Sequence, residues 1–159
     1  MVMARLTLPV AKLVRENMSL LMTFAFSHEP LRQLIETGFL GEWKHLQETV
    51  FGMSALRAEK ACLELAIFLR YLDDEEGLSK YVDERTNFKF GRLILRDGKE
   101  EELKLRDVAN KIIHAAALEW DFSNPQRPLL VCVSRDEEKW VRAQVDIVSL
   151  AAVCGNLAG

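Results

Sequence analysis

Three side chains on successive turns of one predicted helix carry the chemistry this sequence offers. In the run Leu105–His114, LRDVANKIIH, Arg106, Asn110 and His114 recur at every fourth residue. Residues four apart on an α-helix lie one above the other. Histidine titrates near neutrality and can give or take a proton. The arginine guanidinium is a rigid fork of donors matched to a phosphate or a carboxylate. An asparagine between them can orient the imidazole or a substrate. Such a row suits metal-independent cleavage of RNA. A 2′-hydroxyl attacks the adjacent phosphate, His114 moves the proton, and Arg106 stabilises the charge that develops. A structural role for each stands beside this: Arg106 paired with a carboxylate such as Asp146 or Glu119, Asn110 bonded to a loop backbone, His114 exposed or capping the neighbouring sheet.

The helix itself positions the row. At about 100° per residue, Leu105, Val108, Ala109, Ile112 and Ala116 gather into a core stripe. Arg106 and Asn110 fall on its flank beside Ile113 and Ala117, and His114 lies opposite the stripe. This mixture of polar and small apolar residues predicts contact with another helix, a second subunit or a ligand. Arg106-Asp107, followed on the same helix by Asn110 and His114, resembles the signature of the HEPN superfamily: an arginine, a polar residue, then a histidine some positions on. The resemblance implies a helical protein of a toxin–antitoxin or phage-defence system. It also implies a ribonuclease site built from Arg106 and His114, with Asp107 as the polar residue and a dimer of the motif helices. The run LRDVANKIIHA, with the later Trp140…Asp146 segment, is also similar to uncharacterised bacterial proteins.

Composition bounds the rest. A chain of 159 residues, 49% hydrophobic and 28% charged, reads as one globular domain over 1–159 with a real core. The net charge of -3 argues against a broad nucleic-acid footprint, which needs a basic surface, though not against a single phosphate pocket. Cys62, Cys132 and Cys154 are odd in number and far apart, with no CxxC pair. They read as small buried hydrophobes in a cytoplasmic protein without disulfides or zinc. No metal or cofactor motif is found: no glycine-rich phosphate loop, no HExxH, no GxSxG. No run approaches the ~20 apolar residues of a membrane span. His28, in the turn Ser27-His28-Glu29-Pro30, and His45 lack partners at metal-ligand spacing. Trp43, Trp120 and Trp140 read as core or interface anchors.

Periodicity predicts an α+β fold: an N-terminal helical bundle, then β-hairpins bracketing a long helix. Pro9 opens a first helix and Pro30 ends it, with a short helix from there through Thr37. Another short helix covers Glu42–Phe51. Ser54 is the expected N-cap of the strongest helix, Ala55–Leu72, whose half ACLELAIFLRYL is apolar on most sides and predicts a central position in the bundle. Asp73-Asp74-Glu75-Glu76 then reads as a solvated loop beyond the last turn. Asp97-Gly98 marks a hairpin leading into the Leu105–Leu118 helix. A loop over 123–128, a buried strand Leu129–Val133, a turn at 135–138, an alternating strand Trp140–Ile147 and a last helix Val148–Leu157 complete the chain.

The function expected from all this is a small non-catalytic module that forms a homodimer or binds a protein partner, with the mixed helix face as part of the contact. The alternative is a HEPN-like metal-independent ribonuclease in which His114 is the acid/base, Arg106 binds phosphate, Asn110 orients and RNA is the partner. Whether the protein is an enzyme is left open by the sequence.

Overall fold

The computed structural model describes residues 9–38, 41 and 45–157. The fold is α+β. Helix α1 spans Val10–Gly38, a short α2 spans His45–Gln47, and α3 spans Met53–Glu76, followed by α4, Leu78–Arg85. Strands β1 (Gly91–Leu95) and β2 (Glu100–Glu102) precede α5 (Leu105–His114). Then come β3 (Ala117–Asp121), β4 (Leu129–Val133), β5 (Trp140–Asp146) and α6 (Ile147–Gly155). The five strands form one antiparallel sheet in the order β2-β1-β5-β4-β3.

The two expected hairpins are present. Asp97-Gly98 closes the first, with Gly98 at φ 82°, where a residue without Cβ is favoured. The second joins β4 to β5, pairing Cys132 with Ala143 and Leu130 with Val145. Alternation puts those four side chains on the buried face of the sheet, together with Leu93. Gly91, at φ 125°, crosses so close to β5 that an added Cβ would lie 1.8 Å from the Gln144 carbonyl oxygen. Asp146 ends β5 and caps α6, accepting from the Ser149 N–H at 3.1 Å, while Arg127 donates to its other oxygen at 2.6 Å.

Several expected boundaries moved. Pro30 does not end α1, which runs through it. Side-chain pairs beside the proline offset a small part of the backbone bond lost there: Arg32 bridges Glu29 at 2.5 Å and Glu36 at 2.7 Å. His28 is accordingly inside a helix and not in a turn. Ser54 caps nothing, because the helical backbone enters α3 from Gln47 through a π-helical turn over Glu48–Gly52. The expected Glu42–Phe51 helix merges into this rod; its residues 42–44, Trp43 among them, lie outside the described residues. The acidic run is not a loop: α3 continues to Glu76 and stops at Gly77, whose φ of 66° is left-handed and whose N–H donates to the Asp73 carbonyl.

The largest correction concerns the end of α5. The helix stops at His114, so Ala116 is not part of its stripe, and Ala117–Asp121 is a strand. The cause is tertiary. β4 is an apolar strand that needs a neighbour on both sides, and β3 supplies one, with Leu118 opposite Cys132 and Trp120 opposite Leu130. The alternation of Leu118 and Trp120 with Glu119 and Asp121 is the signal that helix-forming alanines obscured.

One contiguous core joins these parts, from Val14, Met18 and Leu21 of α1 through Leu65 and Leu69 of α3 and Val108 and Ile112 of α5 to the sheet. Helix α3 packs on α1 and α5, while α5 and α6 pack on β5. The arrangement turns one side of α3 inward and leaves the opposite side facing out.

Candidate functional site

Helix α5 starts after Lys104, whose backbone is still extended and whose N–H donates to the Asp107 carboxylate at 3.2 Å. Leu105, Val108, Ala109 and Ile112 are buried, as the core stripe requires. On the far side Lys111 sets its ammonium 4.6 Å from the Trp140 ring centre, tying the helix to β5.

The mixed flank touches another helix, α3. Arg106 donates to Asp73, and to Asp74 at 3.2 Å. Asn110 accepts from Arg70, and Arg70 in turn donates to Asp74 at 3.3 Å. Two guanidiniums and two carboxylates thus form one neutral chain across the α3–α5 contact. Neither Asp146 nor Glu119 is the partner of Arg106; Asp146 belongs to Arg127.

Asp73 is the hub of this chain. Its side chain is 9% exposed, and its other oxygen accepts the Ser79 N–H at 2.8 Å, capping the first turn of α4 from outside the helix. Burial pushes its carboxyl up, but the Ser79 N–H and the Arg106 guanidinium outweigh burial and hold it below the ordinary carboxylate value. The hydrogen bonds to Asp73 and Asp74 raise Arg106 above its ordinary value. One acidic side chain therefore links the end of α3, the start of α4 and the flank of α5.

This arrangement joins Arg106 and Asn110 through α3 and leaves His114 outside the chain of contacts. Arg106 and Asn110 are spent on α3, and His114 is exposed at the end of α5. Eight residues at 1.5 Å each place His114 about 12 Å along the axis from Arg106. No family model matches the sequence, and neither a curated protein nor a solved structure matches the chain. Among the described residues no group of three or more His, Cys, Asp or Glu side chains is placed to hold a metal ion. No described helix is long and apolar enough to cross a membrane.

The other histidine of interest is packed against aromatics. His28 stacks on Phe122 with ring centres 3.9 Å apart and lies 5.2 Å from Phe51; Trp120 and Phe24 extend the cluster. Burial lowers its pKa from the ordinary imidazole value. The cysteines are buried thiols, with Cys132 and Cys154 pushed up to about 12 by desolvation, which makes them poor nucleophiles.

The feature that spacing alone did not single out is the outer side of α3. Leu56, Leu63, Ile67 and Tyr71 are 45–59% exposed, and Met53 extends the row. With Lys60 they recur at intervals of three and four, the period of a helix–helix seam. Ala58, Cys62, Leu65 and Leu69 fill the opposite side. The helix is apolar on two sides, and the described residues bury one.

Proposed function

We propose that the protein is a non-catalytic binding module that docks on a protein surface through the outer side of α3. The observation carrying this reading is the exposed stripe Leu56, Leu63, Ile67 and Tyr71 on a single helix side. Isolated exposed leucines are ordinary on a protein surface, but a contiguous row at seam spacing is a contact signature. The neutral Arg70–Asp74–Arg106 chain fixes the helix that presents the row. A photo-reactive amino acid placed at Leu63 tests the reading in cells. Covalent adducts to protein are expected there and not from the same group at Lys80, on the exposed side of α4; absence of adducts at Leu63 removes the reading.

The second reading is a HEPN-like metal-independent ribonuclease of a toxin–antitoxin or phage-defence system. It has one support, that Arg106 and His114 both reach solvent from one helix. It requires Arg106 to leave Asp73 and Asp74 and to meet His114 at one phosphate, across a dimer of the motif helices as the resemblance implies. Cleavage of RNA by the purified protein in chelator, lost in His114→Ala, is its test.

A further inference from the structure

We infer that the occupant of the α3 stripe is a second copy of this chain, paired antiparallel about a two-fold axis level with Ala61 and Cys62. The inference rests on the docking reading above and names the partner. Its argument is the charge pattern of the stripe. The seam runs Met53, Leu56, Lys60, Leu63, Ile67, and a lysine in a seam selects the orientation that spares it a like charge. Parallel, in-register pairing sets Lys60 against the partner's Lys60. Antiparallel pairing about this axis sets Leu56 against the partner's Ile67, and Lys60 against the partner's Leu63.

The same axis supplies the lysine's counter-charge. Glu64 lies on the same edge of the stripe as Lys60 and Arg57, one turn and two turns further along the helix. Pairing brings Lys60 of each copy within about one residue's rise of the partner's Glu64, with Arg57 on the other side of that carboxylate. Within one chain Lys60 and Glu64 already approach to 3.7 Å, with side chains 77% and 43% exposed, so both are free to face a partner. The edge is self-complementary, as a two-fold contact must be. Apolar burial supplies the attraction and the charges set direction and register. The lysine methylenes lie over the partner's Leu63 while the ammonium reaches its edge.

Sedimentation of the purified full chain is the first measurement. A species of about twice 18.2 kDa is expected, with Ile67→Glu converting it to the monomer while the far-ultraviolet circular dichroism is kept. Lys60→Glu is the second variant, at a position too exposed to disturb the monomer; it sets glutamate beside the partner's Glu64 and is expected to weaken the dimer at least tenfold. For register, Leu56→Cys and Ile67→Cys proteins are mixed and briefly oxidised. The mixture is expected to give a disulfide-linked dimer and neither protein alone, the native thiols being buried. A wild type that stays monomeric, a dimer indifferent to both Ile67→Glu and Lys60→Glu, or Ile67→Cys linking to itself as fast as the mixture overturns the inference. A monomer whose Leu63 adduct is a different protein overturns self-pairing and leaves the docking reading standing. A monomer without an adduct removes both.

Discussion

The flank of α5 and the outer side of α3 exchange roles between sequence and structure. The flank carries an arginine, an amide and a histidine, the residue types from which active sites are made, and its arginine and amide are consumed inside the fold. The side of α3 carries leucine, isoleucine and tyrosine, the types from which cores are made, and it lies bare. On α5 the arginine and the amide each meet a partner on α3: Asp73 and Asp74 for the first, Arg70 for the second. Apolar chemistry becomes core only when something covers it, and α1 and α5 can cover only one side of α3. The two regions are adjacent, and the first stiffens the second: Arg70 and Asp74 lie on the edge of the bare stripe and are held by Asn110 and Arg106.

The sharpest way to break this comparison is to cut α3 on its two sides. Leu65 is fully buried, so Leu65→Ala is expected to cost about 3 kcal/mol through lost transfer and an unfilled cavity. Ile67, two positions on, is bare. Ile67→Ala is expected to change the unfolding free energy of dilute protein by under about 0.5 kcal/mol. If Ile67→Ala destabilises dilute monomer as Leu65→Ala does, the outer side is covered within the chain and the contrast disappears. Urea melts at two protein concentrations separate the cases, since only association makes the midpoint concentration-dependent.

A smaller effect is expected at the hub. Asp73→Ala removes the acceptor for the Ser79 N–H and the partner of Arg106, and is expected to cost about 1–2 kcal/mol. Asn110→Ala leaves Arg70 its contact with Asp74 and is expected to cost about 1 kcal/mol or less. The hub also has a pH signature. Its folded pKa lies below the unfolded one, so its stabilisation is complete above about pH 4, the unfolded carboxylate value, and is lost as pH falls through the folded value. Melts between pH 5 and 2 should show a loss in wild type that is smaller in Asp73→Asn. An equal acid loss in both would place the stabilising carboxylates elsewhere.

Much of the fold was legible because it is local. The Asp97-Gly98 turn, the loop over 123–128, the alternation of β5 and the α5 core stripe each depend on residues close together in sequence. What escaped is what the rest of the chain decides. Pro30 looked like a terminator because its ring removes one bond, but the helix runs on beyond it, where Ile35 is buried and Arg32 bridges Glu29 and Glu36. Ala117 and Leu118 looked helical by composition, and Ala117–Asp121 is a strand because β4 needed a second neighbour. The partner of Arg106 lies 33 residues away on α3, a pairing no spacing rule reveals. The acidic run after an arginine at Arg70 was the available hint, since Arg70 and Asp74 are one helical turn apart. The bare stripe was visible in outline, as a helix apolar on most sides, but which side stays open depends on where α1 and α5 fall.

The histidines set the finest test. His28 is stacked on Phe122 with Phe51 tilted beside it, and its pKa is lowered chiefly by burial. A histidine whose folded pKa is depressed stabilises fully above its unfolded value near 6.5 and loses that contribution as pH falls through the folded value. Acidification from pH 7 to 5 should therefore lower the melting temperature of wild type slightly, and of His28→Phe less. His114 is exposed at the end of α5 and packs against no such cluster. His114→Ala is expected to stay within about 0.5 kcal/mol of wild type at neutral pH. That neutrality makes His114→Ala the cleanest probe of the α5 flank. A variant that folds, associates and melts like wild type, yet loses an RNA cleavage that wild type performs in chelator, would return the flank to chemistry and make the bare side of α3 the surface that assembles the site. Unchanged RNA in both proteins, with dimerisation intact, leaves α3 as the working surface and the arginine–amide pair of α5 as its support.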